Sequence, residues 1–132
     1  MEKLKHGEIT EKIIGAAFEV HKFLGNACLP ARQGFQEVIY QKALAWEMSQ
    51  VDLTFNREIE QDIYYKELKE PIGTRRADFV VEGKVLVELK ALKDLEDVHI
   101  AQALNYLKAY RLEVALLVNF GSKSLQFKRL VL

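Results

Sequence analysis

Asp78, Glu88 and Lys90 stand in the run Arg75 to Ala91, RRADFVVEGKVLVELKA, among Phe, Val and Leu residues of the kind that strands bury. Two carboxylates about one strand spacing apart repel each other, and a hard divalent cation relieves this by replacing a proton with a stronger charge. Mg²⁺ or Mn²⁺ suits oxygen ligands of this type and usually keeps several waters. Such a cation polarises a phosphoryl oxygen and makes a bound water more acidic, while Lys90 could orient that water or stabilise developing negative charge. The same residues would also form an ion cluster with no ligand, since Asp with Glu-x-Lys is by itself an unspecific pattern.

Whether the three residues meet depends on the strands that carry them. Residues two apart on a strand share a face, so Leu86, Glu88 and Lys90 point one way and Val85, Val87 and Leu89 the other. One face is apolar throughout and the other becomes ionic at its end. Burying an unpaired charge costs several kcal/mol, so these ions must reach a polar cleft, pair with each other, or bind something. A two-residue turn at Glu82 and Gly83 would pair Val81 with Lys84 and leave Asp78 opposite Val87, away from Glu88. An odd-numbered connection or a bulge restores a shared face, and Gly83 suits the left-handed residue it requires. The odd connection is therefore predicted.

Helices must supply the remaining polar groups. In a helix from about Gly34 to Gln50, Glu37, Tyr40 and Leu44 lie within an arc of about 60°, so Glu37 and Tyr40 could face one site. In a later helix, His99, Gln102 and Tyr106 form a similar stripe. Each stripe taken alone is more often a solvated or hydrogen-bonded helix face.

From end to end, Thr10 can cap a first helix with Ile13, Ala17, Val20 and Leu24 at helical spacing, closed by Gly25. The loop NACLPARQ follows. The second helix shows an apolar face of Phe35, Ile39, Ala43 and Trp46. Phe55, Ile59, Ile63 and Tyr65 share strand parity and predict a strand from about Thr54 to Lys66. Pro71 and Gly73 mark a turn before the hairpin. Asp94 or Asp97 can cap a helix to about Tyr110, EVALLVNFG reads as a strand buried on both faces, and LQFKRLVL as a last strand. The order α, α, β, β, β, α, β, β predicts an α/β fold, a mixed sheet flanked by helices, with a crossover helix between the third and fourth strands.

The chain has 132 residues, without internal repeat or Gly/Ser linker, and reads as one domain, 1–132, able to bury roughly two-thirds of its unfolded surface. The single cysteine, Cys28, has no partner, and no Cys or His pair has zinc spacing, which fits a reducing cytoplasm. No run approaches the roughly 20 apolar residues of a membrane span, so the expectation is a soluble protein with no membrane partner. Charge balances at 19 basic and 19 acidic residues, so the molecule as a whole has no field to attract a polyanion. Lys108, Arg111, Lys123, Lys128 and Arg129 against Glu113 alone nevertheless give the C-terminal segment a basic edge.

These motifs resemble a known family. GFQEVIY, Gly34 to Tyr40, fits the signature of the GxxExxY family, and QKALAWEM, GTRRADFVVEGKVLVELKA, LEDVHIAQALNYLKAY and VALLVNFGSKSLQFKR follow in its order from about Ile9 onward. The family is regarded as part of the PD-(D/E)XK nuclease-like superfamily, which implies a restriction-endonuclease-like core of helix, three strands, helix and strand. The resemblance implies Asp78 and Glu88 as metal ligands, Lys90 as catalytic lysine, Glu37 as an acidic residue reaching the metal directly or through water, and Gln102 as a supporting or phosphate-positioning group. His99, Tyr40 and Tyr106 match family positions, with packing as their expected role. Two features depart from the pattern: NACLPARQ lengthens the connection before Gly34, and Ala77 stands where the superfamily has Pro.

The expected function is a Mg²⁺- or Mn²⁺-dependent phosphodiesterase that hydrolyses nucleic acid, DNA in the first instance. The alternatives are a nuclease-fold module that binds nucleic acid or protein without cutting, and an interaction domain that forms a homodimer through the edge strand LQFKRLVL.

Overall fold

A computed structural model describes residues 4–26 and 35–132. Cys28, Pro30 and Gly34, and with them most of the long connection, lie outside the described residues. Three helices, α1 (Gly7–Leu24), α2 (Glu37–Gln50) and α3 (Asp97–Tyr110), accompany five strands, β1 (Phe55–Ile63), β2 (Gly73–Val81), β3 (Val85–Lys90), β4 (Val114–Asn119) and β5 (Gln126–Val131). They follow the predicted order. The sheet runs β1-β2-β3-β4-β5, antiparallel except for the parallel pair of β3 and β4 that α3 connects.

Every residue of β4 is buried, as a central strand covered on both faces demands. On one face, α1 and α2 supply Ile13, Val20, Tyr40, Leu44 and Met48 to a core with Phe79, Val87, Leu89, Leu116 and Phe120. On the other, Ala103, Leu107 and Tyr110 of α3 meet Ala77, Val80, Leu86 and Ala115. Tyr40 anchors the first layer, stacked on Phe120 at 5.0 Å with its hydroxyl donating to the Gly25 carbonyl at 2.8 Å. Each such fully buried large side chain contributes roughly 1.5–3 kcal/mol. No helix of the described residues is long and apolar enough to cross a membrane.

Several local expectations are corrected. α1 begins one turn before Thr10, which is buried inside the helix and donates back to the Gly7 carbonyl. α3 is capped by Glu96 rather than Asp94 or Asp97, in a capping box whose return partner is His99. On α2 the predicted apolar face is largely the outer one: Phe35, Ile39 and Trp46 are exposed, while Tyr40, Gln41, Leu44 and Met48 turn to the sheet. That segment carries apolar residues on two sides, and fit against Phe79 and Phe120 selects between them, which helical period alone cannot do.

β1 departs from the reading in a way that matters for chemistry. Phe55 packs with the α1/α2 core, whereas Ile59 and Ile63, of the same parity, pack with the α3 core. The change of face falls at Glu58, whose φ of 50° is left-handed, and the pairing of β1 with β2 skips it between Arg57↔Phe79 and Ile59↔Ala77. The residue opposite the gap is Asp78.

Candidate active site

The β2–β3 connection consists of Glu82, Gly83 and Lys84, with Val81 paired to Val85, Val80 to Leu86 and Phe79 to Val87. It is the odd connection predicted. Glu82 and Gly83 both adopt left-handed φ, 54° and 66°, and Thr54 stabilises the turn through hydrogen bonds to the Glu82 carboxylate. Extending this register by one pair sets Asp78 opposite Glu88. The backbone ladder ends there, and the Asp78 carboxylate takes over: Oδ2 accepts the Leu89 N–H at 2.8 Å.

Asp78 is thus half-buried where the sheet changes face. From α2, Gln41 Nε2 donates to Asp78 Oδ1 at 3.1 Å. From β3, Glu88 lies beside it, only 5 % exposed. Burial pushes the Glu88 pKa up to about 7, the hydrogen bond and charge of Asp78 push in the same direction, and Arg75 opposes them. The charge on Asp78 thus disfavours a second charge on Glu88. Glu37, one turn before Gln41, stays exposed as a residue while its carboxyl group is partly desolvated. Desolvation first and the charge of Asp78 second raise its pKa, and Lys90 counteracts them. Glu37, Asp78 and Lys90 therefore share one electrostatic neighbourhood. Lys90 is half-buried and forms no ion pair among the described residues.

Other predicted residues fall elsewhere. Gln102 is exposed on α3 and hydrogen-bonds to none of these groups among the described residues. His99 serves the helix cap, its Nδ1 accepting from the Glu96 N–H at 3.0 Å. Tyr40 packs in the core, and Tyr106 lies under the Arg75 guanidinium, 3.7 Å from ring centroid to Cζ.

Gln41, Arg75 and Tyr110 were not singled out from the sequence. Gln41 was accessible to such reading, since it lies four residues after Glu37 on the same helix face. Arg75 was not: strict alternation puts residues 75 and 88 on opposite faces when 78 and 88 share one. The change of face at Asp78 brings Arg75 Nη1 to 2.7 Å from Glu88 Oε1 and 3.0 Å from the Tyr110 hydroxyl.

Beyond Lys90 the chain is fixed by Asn119, its partner in the β3–β4 register. Asn119 Oδ1 accepts from the Leu92 and Gly121 N–H groups, and Nδ2 donates to the Leu92 carbonyl and to Gln126 Oε1. All four amide positions are used, which makes this buried side chain a rigid clamp on the segment leaving β3. Gly121 permits the close approach, because a Cβ there would lie 2.2 Å from the Leu92 carbonyl oxygen. Gly121→Ala is expected to destabilise the fold by roughly 3 kcal/mol or more, read as a lowered urea midpoint, because the obstacle is backbone and cannot rotate away.

The described residues contain no group of three or more His, Cys, Asp or Glu side chains that could hold a metal ion. Asp78 and Glu88 are adjacent, while Glu37 is coupled by charge to Asp78. The donor set still suits a hard cation. Besides the carboxylate pair it includes Gln41 Oε1, a buried acceptor with no partner among the described residues, next to Asp78. An orphaned buried acceptor is costly unless a donor or cation serves it. With so few protein ligands, a bound ion would retain several waters.

A five-stranded mixed sheet with two helices on one face and one on the other, and an Asp and a Glu-x-Lys meeting where β2 and β3 part, defines a nuclease-like α/β fold. The family model for the PD-(D/E)XK nuclease superfamily matches residues 7–130, and the chain belongs to that superfamily. Searches of curated proteins and of solved structures give no match.

Proposed function

We propose that the chain is a divalent-metal-dependent phosphodiesterase acting on nucleic acid, with DNA as the first substrate to test. The observation that carries this is the meeting of Asp78 and Glu88 across the end of the β2–β3 ladder, beside Gln41 and with Lys90 next along the strand. Asp78 and Glu88 would hold Mg²⁺ or Mn²⁺, with Glu37 acting through an intervening water. When bound, the ion supplies positive charge at a phosphoryl oxygen and a more acidic water. Asp78 is held in place by the Leu89 N–H and by Gln41, so it is pre-oriented and little is lost in ordering it. Lys90, free of ion pairs among the described residues, is available to orient the attacking water or to stabilise charge that develops on the phosphate. Gln102 stands apart from the carboxylates, and its proposed role is to position a phosphate of bound nucleic acid.

Gln41→Ala is expected to lower Mn²⁺ affinity about tenfold, as removal of groups that orient metal ligands commonly does, with the loss read directly by calorimetry. Cleavage of labelled single-stranded, duplex and branched DNA and of RNA in Mg²⁺ or Mn²⁺ tests the activity itself. No product from any of them would count decisively against a nuclease.

One observation favours a second reading, a module that binds nucleic acid without cutting. Arg75 already neutralises Glu88 at 2.7 Å, so the site has a counter-ion of its own. Salt-sensitive binding without hydrolysis, unchanged when Asp78 and Glu88 are replaced, would select it.

A further inference from the structure

Arg75 is a cation for which the reaction proposed above has no use, yet it is held from three sides. Nη1 donates to Glu88 Oε1 at 2.7 Å and to the Tyr110 hydroxyl at 3.0 Å, with the Arg76 carbonyl at 3.2 Å. The guanidinium plane rests over Tyr106, which is itself stacked on Tyr110 at 5.9 Å and 15°. An exposed arginine normally samples many rotamers. Here an aromatic platform and a phenol fix the group before any ligand arrives.

All of these bonds use Nη1. The Nε and Nη2 donors have no partner among the described residues, and neither is a buried orphan, since the side chain is 34 % exposed. A guanidinium held by one amino group presents its other edge, Nε–H with Nη2–H, as a two-pronged donor. Two oxygens of a phosphate match that fork, and arginine binds phosphate bidentately for this reason.

Charge balance points to the same ligand. A divalent ion on Asp78 and Glu88 would place a second positive centre on the carboxylate that Arg75 already touches. The two cations repel unless an anion lies between them, and a phosphodiester brought to the ion is such an anion.

We propose that Arg75 is a phosphate-binding residue of this site, its free edge taking the non-bridging oxygens of a backbone phosphate in the bound strand. This rests on the reading of Asp78 and Glu88 as the cation site. Without substrate, Arg75 competes with the ion for Glu88. With substrate, the phosphate on the free edge of Arg75 lies between the guanidinium and the ion and offsets their repulsion, so both can stay on Glu88. Ion and nucleic acid therefore strengthen each other's binding, reciprocally, through one side chain.

The test uses the whole chain and a fluorescein-labelled DNA oligonucleotide, single-stranded and duplex, with affinity measured by anisotropy in EDTA over a range of salt. Arg75→Ala should weaken binding by about tenfold or more and reduce the salt slope by about one. Arg75→Lys should keep the slope and lose part of the affinity, because it retains charge without the fork. Circular dichroism melts confirm that each variant is folded, and Arg75→Gln, which retains a donor for Tyr110, replaces Arg75→Ala if that variant is not. Calorimetry adds an effect of opposite sign: Arg75→Ala should bind Mn²⁺ more tightly than the wild type when DNA is absent, and should lose the gain in Mn²⁺ affinity that DNA gives the wild type. Wild-type affinity and slope in folded Arg75→Ala and Arg75→Lys, or no oligonucleotide binding by the wild type, would overturn the assignment. If Mn²⁺ binding still depends on Asp78 in that event, the cation site stands and only Arg75 is reassigned. If Mn²⁺ never binds but Arg75→Ala weakens DNA binding, Arg75 keeps its phosphate and the cation site falls.

Discussion

Asp78→Asn is expected to lower Mg²⁺-dependent cleavage by on the order of a thousandfold or more, since the charge it removes helps to hold an ion whose stabilisation of the transition state is worth several kcal/mol. The fold should survive. The replacement oxygen can still accept the Leu89 N–H, and Gln41 can turn its amide over so that its orphaned Oε1 receives the new donor. Hydrogen bonding is largely retained while one negative charge disappears. Cleavage assays over a Mg²⁺ series, beside thermal melts, separate the two effects. Full activity in the variant would remove Asp78 from the chemistry. An inactive but unfolded variant would show that the hydrogen-bond compensation fails, and Glu88→Gln would then decide the matter.

Glu88→Gln should change stability as well as activity, with a sign set by pH. Burial raises the Glu88 pKa to about 7 in the folded protein, against 4.5 for a free glutamate side chain. The folded state therefore binds the extra proton between those two values. Stability conferred by the protonated carboxyl is fully present below about 4.5 and is lost as pH rises through about 7. At roughly 1.4 kcal/mol per pKa unit the loss is on the order of a few kcal/mol. The groups that bear on Glu88 are Asp78 on β2, which favours the proton, and Arg75, which disfavours it and is itself tied to Tyr110 on α3. Glu88→Gln mimics the protonated form at every pH. In EDTA it should melt above the wild type at pH 8 and close to it at pH 4. Added Mg²⁺ at pH 8 should raise the wild-type melting temperature and leave the variant nearly unmoved. A variant less stable than the wild type at pH 8 in EDTA would mean that the Arg75 ion pair outweighs desolvation at this position.

The order of elements was legible because each carries a strong local signal: helical spacing in α1, an unbroken apolar run in β4, and Gly83 at the hairpin. The parity count that demanded an odd β2–β3 connection also held, since the pleat leaves few other ways to seat Asp78 near Glu88. Legibility failed where two elements compete for one choice. α2 offers apolar residues on two sides, and only packing against Phe79 and Phe120 sends Tyr40 and Leu44 inward while Trp46 faces solvent. Arg75 was invisible for a related reason. A left-handed residue at Glu58, with no glycine to advertise it, changes the face of β1 and β2, and no period read from the sequence contains that step. The cap by Glu96 and His99 was hidden because two aspartates nearby are commoner caps.

The account depends on Asp78 and Glu88 gripping a cation together, and calorimetric titration with Mn²⁺ at pH 6 tests this before any substrate is known. The wild type should bind with release of a proton, visible as a dependence of the heat on buffer ionisation enthalpy, and Asp78→Asn and Glu88→Gln should each lose that binding. Mn²⁺ binding of equal affinity in the wild type and both variants, or no binding in any of them, would contradict it.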